Sequence, residues 1–183
     1  MSEPAAAPDH EVSPQAGSGQ WEIAHLDIEV HALLCASDAL HARLSGTPAP
    51  QRNPRTTRSR VRDGCVRVLR RSGSAVASFT LTAEPPFPPD EVRFEPAARP
   101  LYLSRLAVLP ALLEAGEPAG LRCLRQAVSE ARSQGADALR AQANPDLRGT
   151  WALLAHLGFE QQGPVLEDAG VHRVYLQRRL VAR

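Results

Sequence analysis

The sequence predicts an α/β fold in which a mixed β-sheet of about six to seven strands is flanked by helices. A β-hairpin is indicated by the alternation of Val66 and Val68 with arginines, by turn residues at 71–74, and by the β-forming run at 75–82. The segment 101–109 is apolar except at two positions, as expected for a central strand covered on both faces. Strand and helix patterns then alternate along the rest of the chain. A hairpin followed by such crossovers implies a mixed sheet.

The first part of the chain is expected to contain a tail, one helix and a loop. Residues 1–20 lack hydrophobic periodicity, so we expect a disordered N-terminal tail before a single domain over residues 21–183. From Trp21 onward, apolar residues recur at three- and four-residue steps, which predicts an amphipathic helix that ends at Gly46. Residues 46–60 are then expected to form a polar loop that carries four arginines.

The remaining elements follow from prolines, glycines and apolar periodicity. Four prolines in 84–89 predict a loop, and 92–95 is a candidate for a short extra strand. After the central strand, we expect a helix ending near Gly135, a strand at 136–143, a helix at 146–156 closed by Gly158, and two last strands at 159–162 and 171–180.

The composition is that of an ordinary soluble domain. The chain is 43% hydrophobic and 22% charged with a net charge of +1, and its 21 basic residues are all arginine. This balance gives no strong field for nucleic acid or an anionic membrane surface. No apolar run approaches the roughly 20 residues that span a bilayer, and no secretory signal is visible. We therefore expect a cytoplasmic protein that associates with neither membranes nor nucleic acid.

The cysteines and histidines are not spaced as metal ligands usually are. Cys35, Cys65 and Cys123 are an odd number without metal-type spacing, and we expect reduced, mostly buried thiols. The histidines of the first helix are spaced by six and ten residues, which does not place them on one helical face. No metal site is therefore expected.

The segment 101–124 has the order strand, glycine-containing turn and helix. Free N–H groups in the first turn of a helix, together with the positive end of its dipole, attract a pyrophosphate. Gly116 and Gly120 would let the backbone approach phosphate oxygens closely. The pattern is typical of an anion site, although a plain tight turn has the same composition.

Four short segments occur in the order in which the GNAT superfamily of acyl-CoA-dependent N-acyltransferases carries its motifs, and the chain resembles that family. The segments are VASFTLT (76–82) at the third strand, LAVLP (106–110) before the phosphate loop, GADALRAQAN (135–144) at the next strand, and LLAHLGFEQQGP (153–164) at the closing helix and Gly-Phe step. The resemblance covers roughly residues 21–181 and is strongest in 101–163.

The resemblance implies a GNAT-like fold and transfer of an acetyl or other short acyl group from acetyl-CoA, or another acyl-CoA, to an amine by direct attack. A strand bulge at Leu106, Ala107 and Val108 would pair with the pantetheine arm and place a main-chain N–H near the thioester carbonyl. Asn144 would add a contact to the cofactor. The turn residues implied to contact the pyrophosphate are Ala115, Gly116, Glu117, Ala119, Gly120 and Leu121.

The sequence departs from the family pattern at the phosphate loop and at the general acid. The loop's basic residue is missing, and Pro118, which has no N–H, occupies a glycine position. The tyrosine that many members place before the Gly-Phe step is Leu154 here. Some members carry a base on the central strand, and Tyr102 and Ser104 match those positions. We take both as catalytic candidates, with Tyr102 as an acid, and leave a plain packing role as the alternative.

Two other functions remain open. A transferase that takes its acyl group from an acyl carrier protein would depend less on the phosphate loop and would suit the dense arginines of residues 52–71. A catalytically impaired GNAT-like module that senses a ligand or binds a protein would explain the missing loop cation and tyrosine. The acceptor, a small-molecule or peptide amine, has no readable code, and a homodimer is left open.

Overall fold

The computed structural model describes residues 19–88, 94–168 and 170–180, which form one seven-stranded mixed sheet with helices on both faces. The strand order is β1-β2-β3-β4-β5-β7-β6, and every neighbouring pair is antiparallel except β4 and β5. The strands are β1 (Gln20–Ile23), β2 (Val66–Arg71), β3 (Ser74–Thr82), β4 (Pro100–Val108), β5 (Ala138–Ala143), β6 (Glu160–Asp168) and β7 (Val171–Arg179). The helices are α1 (Asp27–Ser45), α2 (Pro54–Arg62), α3 (Pro110–Glu114), α4 (Ala119–Ser133) and α5 (Arg148–His156). The predicted fold class is confirmed.

The segment predicted as one helix from Trp21 is in fact a strand followed by a helix. Trp21 and Ile23 lie in β1, which pairs with β2, and α1 begins only at Asp27. The prediction was wrong at this end because a four-residue strand is too short for its alternation to stand out from helical spacing. The other end is confirmed: Gly46 ends α1 in the left-handed conformation, with φ of 70°.

Helix α2 lies inside the segment predicted as a polar loop, so that prediction was wrong. The Asn53 side chain accepts a hydrogen bond from the Arg55 N–H at 2.9 Å, and Pro54 occupies the first helical position. Only Thr57 and Val61 of the helix are buried. The start signal was therefore in the sequence, but nine residues with four arginines show no apolar periodicity.

The other predicted elements lie where expected, with small shifts. The hairpin turn at Ser72 and Gly73 has φ of 48° and 83°, which matches the right-handed twist of the flanking strands. Residues 84–88 contain neither helix nor strand. Of the candidate strand at 92–95, residues 94 and 95 are not in a strand and the others lie outside the described residues. The short helix α3 was not predicted.

Two further predictions concern the N-terminal tail and membrane-spanning helices. Residues 1–18 lie outside the described residues, so the tail stays a prediction; β1 already begins at Gln20. Of the helices that the structure describes, none has both the length and the apolar character required to cross a bilayer.

The core lies on both faces of the sheet and holds β4 at its centre. On one face, Leu124 and Val128 of α4 pack against Phe79, Leu103 and Leu139. On the other face, α1 packs on β2, β3 and the far end of β4; the buried contacts there include Val30, Leu34, Val68 and Ala107. Both faces of the central strand are therefore covered, as its apolar sequence indicated.

Glu29 links α1 to the hairpin. Its carboxylate accepts hydrogen bonds from Arg70 Nη1 and Nη2 at 3.0 and 2.8 Å, and from the Ala75 N–H at 2.7 Å. The hydrogen bonds from Arg70 hold the pKa of Glu29 below its ordinary value of 4.5, although burial acts in the opposite direction. A carboxylate with a lowered pKa contributes stability above its unfolded pKa and loses that contribution as the pH falls through the folded pKa.

We expect Glu29→Gln to lower the free energy of unfolding by about 2 kcal/mol at neutral pH, because three charge-assisted hydrogen bonds are weakened. The difference from the wild type should shrink at an acidic pH well below 4.5, where the wild-type carboxylate also becomes protonated. Urea unfolding at the two pH values measures both quantities. Glu114→Gln, at an exposed position, is the matched control. An equal loss at both pH values would contradict the assigned role of the carboxylate charge.

Candidate active site

The central strand β4 carries a bulge around Arg105. Between the cross-strand pairs Thr80–Ser104 and Ser78–Ala107, β4 has two residues where β3 has one. Arg105 has φ of 53°, in the left-handed region that residues other than glycine rarely adopt. Such a conformation costs on the order of 1 kcal/mol or more and persists only where the surroundings hold it. The bulge therefore turns the Arg105 side chain away from the regular alternation of the strand.

Strands β4 and β5 pair only over the first four residues of each strand. Their parallel register runs from Pro100–Ala138 to Leu103–Ala141 and stops there, although β4 continues to Val108. On its other edge, β5 pairs along its whole length with β7. The edge of β4 beyond Leu103 is thus not paired with β5, and the two strands enclose an opening.

One N–H group on the open edge of β4 has a partner on α1. The Leu109 N–H donates to the Val76 carbonyl of β3 at 2.8 Å, so the preceding N–H points to the opposite edge. That group, the Val108 N–H, donates to the buried Ser37 hydroxyl at 3.3 Å. Counted back from Ala107, which pairs regularly with Ser78, the alternation predicts that the Leu106 N–H points to the same edge. The Val108 N–H therefore has a protein acceptor, and the Leu106 N–H is a second donor expected at the opening.

The three residues implied to contact the pantetheine arm lie next to this opening. Leu106 is part of the bulge, and Ala107 and Val108 directly follow it, so the bulge begins one residue earlier than the sequence suggested. Ala107 faces Ser78 of β3, and both Ala107 and Val108 are buried. Their role as cofactor contacts stays a prediction.

The turn before α4 uses most of its N–H groups internally. Four of them donate to main-chain carbonyls within residues 111–117; they belong to Ala115, Gly116, Glu117 and Ala119. Pro118 has no N–H. The N–H groups of Gly120 and Leu121 have no acceptor among the residues that the structure describes, and both lie in the first turn of α4. The anion-binding capacity of this turn therefore rests on two donors and the helix dipole.

A cation lies beside the turn although the loop itself has none. Arg71, the last residue of β2, donates from Nη1 to the Glu117 carboxylate at 2.7 Å. A Cβ atom added at Gly120 would meet the Leu153 side chain at an ordinary van der Waals distance of 3.6 Å, so a small side chain would be tolerated there. Motif matching could not find Arg71, because the basic position is searched within the loop.

Asn144 follows β5 and forms a turn. Its Oδ1 accepts a hydrogen bond from the Asp146 N–H at 2.9 Å, and its carbonyl accepts from the Leu147 N–H at 3.3 Å. One side of the amide is therefore committed to the turn before α5, and its contact with the cofactor stays a prediction. Leu154, at the position of the usual tyrosine, is buried in the core.

The two catalytic candidates lie on the same face of β4. Tyr102 is buried at 7% exposure, and its hydroxyl oxygen accepts a hydrogen bond from Arg140 Nη1 at 3.0 Å. Its ring packs edge-on against Phe87 and Phe94. Ser104 is half-buried and borders the opening. The structure therefore brings Ser104 to the opening and holds Tyr102 one step behind it, in an aromatic cluster.

A cavity of about 310 Å³ lies where β4 and β5 separate, on the side of the sheet that carries α2. Its wall includes Leu103, Ser104 and Arg105 of β4 and Gln142 of β5, and α2 and the loop before it add Arg60 and Arg52. None of these arginines was expected from the sequence to be a site residue. The one signal was Arg105, a charged residue in an otherwise apolar central strand.

The structure also bears on a metal site and on the cysteine thiols. Among the described residues, no group of three or more His, Cys, Asp and Glu side chains is arranged to hold a metal ion. Burial raises the pKa of Cys123 to about 12, so this thiol is not a ready nucleophile. Cys35 is exposed, contrary to the expectation of mostly buried thiols.

Solved structures of acetyltransferases have a similar backbone. A GNAT-family acetyltransferase from Streptococcus agalactiae 2603 matches with a TM-score of 0.70 and 15% identity, over 91% of this chain and 98% of that chain. A ribosomal-protein-alanine N-acetyltransferase from Brucella melitensis matches with a TM-score of 0.60 and 22% identity, over 88% and 99%. A chain of the NatC complex bound to Gag peptide and CoA matches with a TM-score of 0.60 and 13% identity, over 88% and 98%. No family model and no curated protein matches the sequence.

These likenesses extend over nearly the whole length of the matched chains, while the sequence identities are low. They concern the backbone, and they agree with the short motifs that the sequence carries in order. The protein therefore has the GNAT fold, shared with GNAT-family N-acetyltransferases.

Proposed function

We propose that this protein is an N-acyltransferase that moves an acetyl or other short acyl group from an acyl-CoA to an amine. The observation that carries the proposal is the separation of β4 and β5 beside a helix N-terminus with two free N–H groups. The GNAT fold supports it, as does the bound CoA in the NatC structure.

Three free cysteines suit a reducing compartment, and we place the protein in the cytoplasm.

The residues around the opening fit a pantetheine arm and a pyrophosphate. The Val108 N–H would donate to a carbonyl of the arm, with Ser37 giving up its bond to Val108. The N–H groups of Gly120 and Leu121 would donate to phosphate oxygens at the positive end of α4. Gly120 has no side chain, which favours such an approach.

The chemistry requires a positioned amine, a stabilised carbonyl oxygen and two proton transfers. An acyl-CoA supplies the acyl group as a thioester, whose carbonyl carbon is attacked by the amine with loss of the thiol. The Leu106 N–H would donate to the carbonyl oxygen, where negative charge develops. Ser104 would orient a water that accepts the amine proton. Tyr102, which lies behind the opening, would return a proton to the leaving sulfur through an ordered water. Arg140 donates to the Tyr102 oxygen and leaves its proton available.

The few free donors in the turn before α4 favour one alternative, a donor carried by an acyl carrier protein. Helix α2 presents exposed arginines at Arg55 and Arg58, and the latter pairs with Asp27 at the surface. A cationic surface of this kind suits an acidic carrier. If it is used, Arg55→Glu with Arg58→Glu should weaken carrier binding about tenfold or more. Unchanged affinity in a titration with an acylated carrier protein would remove this alternative.

Acetyl-CoA should bind the full chain with a dissociation constant of about 1 mM or lower in isothermal titration. Leu121→Glu should weaken this binding about tenfold or more, because its carboxylate would lie where the pyrophosphate accepts hydrogen bonds. Leu121→Gln has nearly the same shape without the charge, and it should bind within about threefold of the wild type. Absence of wild-type binding, or equal affinities for the two variants, would count against the pyrophosphate site.

Ser37→Ala should lower the stability of the free protein by about 1 kcal/mol, because the Val108 N–H loses its acceptor. The same variant should bind acetyl-CoA up to about fivefold more tightly, since the pantetheine arm no longer competes with a protein group. Thermal unfolding and isothermal titration measure the two effects. Weaker binding by the variant would show that the arm does not use this edge of β4.

A further inference from the structure

The cavity between β4 and β5 carries positive charge that the protein leaves unneutralised. Arg52 is paired, because its Nε and Nη2 donate to the Asp38 carboxylate at 2.6 and 2.9 Å. Neither Arg60 nor Arg105 forms an ion pair with a carboxylate within the described part of the chain. Arg105 donates from Nη2 to a neutral acceptor, the Thr57 hydroxyl, at 2.6 Å. Two guanidinium groups in the cavity wall thus lack a counter-charge.

Elsewhere, the partly buried arginines of this region are neutralised by carboxylates. Arg67, Arg70 and Arg71 have side chains that are 17–22% exposed. Their ion pairs are Arg67 with Glu130 at 2.6 Å, Arg70 with Glu22 and Glu29 at 2.6 and 2.8 Å, and Arg71 with Glu117 at 2.7 Å. Within this region, the unpaired arginines of the cavity therefore differ from their neighbours. Arg140, outside the region, is likewise held by neutral acceptors, but it has three of them.

The unpaired charge is held in an environment that favours an anion. Arg60 and Arg105 are both half-buried. Burial, and then the nearby charge of Arg52, lowers the pKa of Arg105, although a guanidinium remains protonated at neutral pH. A partly desolvated cation gains more from an ionic partner than one in bulk water. An oxyanion that enters the cavity would restore the balance of charge.

Arg105 is also fixed in place. Its backbone lies in the strained left-handed conformation of the bulge, and its guanidinium bonds to Thr57, which is 1% exposed. The Thr57 hydroxyl lies 3.1 Å from His31 Nδ1, so Thr57 is itself held by α1. A donor fixed before binding loses little entropy when it binds an oxyanion. The arrangement is that of a preorganised anion contact.

The size and position of the cavity indicate a small ligand that meets the thioester. A volume of about 310 Å³ is at the lower end of small-molecule pockets and suits a molecule of amino-acid size. Phe87 and Leu103 give it an apolar side, and Gln142 a polar one. Ser104 and Arg105 in its wall adjoin Leu106, whose N–H faces the open edge of β4. An amine bound in this cavity would therefore lie next to the position proposed for the acyl group at Leu106.

We propose that the acyl acceptor is a small amine that also carries an oxyanion, a carboxylate or a phosphonate-type group, which Arg60 and Arg105 bind while the amine faces the thioester. The inference rests on the acyltransferase function proposed above. The guanidinium plane donates two parallel hydrogen bonds to such an oxyanion. Free amino acids and their phosphonate analogues have this chemistry, whereas polyamines and amino-acid amides lack the anionic group.

The test compares ligands that differ only in the anionic group. Alanine, alaninamide and 1-aminoethylphosphonate are titrated into the CoA-saturated full chain by isothermal titration, and thiol release from acetyl-CoA is followed with the same three amines. The carboxylate or the phosphonate should bind about tenfold or more tightly than the amide, and the stronger of the two identifies the oxyanion. The same order is expected for turnover.

Variants then assign the preference to the two arginines. Arg105→Gly accepts the left-handed backbone without strain and Arg60→Gln keeps a polar side chain, so both should fold, and each should reduce the preference to about threefold or less. Arg105→Lys should retain part of it. Arg55→Gln, an exposed arginine of α2 outside the cavity wall, should leave it unchanged. Equal binding of acid and amide by the wild type, or a preference that survives in both variants, overturns the inference.

The two proposals fail in different ways. Intact acetyl-CoA binding without a preference for oxyanions, or without binding of any of the three amines at about 10 mM, overturns the acceptor assignment and leaves the acyl donor site in place. Oxyanion binding that is lost in the arginine variants, in a protein that does not bind acetyl-CoA, supports the cavity assignment and overturns the transferase function.

Discussion

The separation of β4 from β5 after Leu103 is the constraint on which the site depends. Strand β5 keeps its other edge fully paired with β7, and the bulge at Arg105 lies just beyond the last residue of β4 that pairs with β5. Because parallel pairing stops at Leu103, main-chain donors that a closed sheet would consume are left at an edge. The cavity, the open edge and the strained arginine all lie at this one junction.

Most main-chain N–H groups in the turn before α4, and the Val108 N–H at the open edge of β4, already have hydrogen-bond acceptors within the protein. A buried main-chain N–H without an acceptor is costly, and Ser37 provides one for Val108. The turn before α4 satisfies four N–H groups within itself for the same reason. An acyl-CoA would therefore exchange one hydrogen bond for another at Val108, whereas the N–H groups of Leu106, Gly120 and Leu121 would be new donors. The sequence departures at the phosphate loop thus have a structural counterpart in a turn that is stable by itself.

Arginine is the only residue with a permanent positive charge in this protein, because the sequence has no lysine. Most arginines in residues 52–71 stabilise the fold through ion pairs between elements that are distant in sequence, as Arg70 does between α1 and the hairpin. The dense basic segment is therefore mainly structural, with an exposed part on α2. Against this background, Arg60 and Arg105 differ because they face a cavity and lack a carboxylate partner among the described residues. It is the absence of a carboxylate partner for these two arginines, rather than the number of arginines, that indicates a ligand.

The sequence by itself determined the fold class, the hairpin, the central strand and the order of the longer elements after it, because these segments are long enough for their periodicity to be read. It did not reveal β1, α2 or α3, which are short, and it assigned the bulge one residue too late. It brought Ser104 to attention through the family motif, but it gave no reason to join Arg60, Arg105 and Gln142. Those residues come from α2, β4 and β5, and only the tertiary structure decides that the three meet. The physical reason is that local sequence fixes backbone preference and burial, whereas a site built where two strands part depends on long-range pairing that no local pattern encodes.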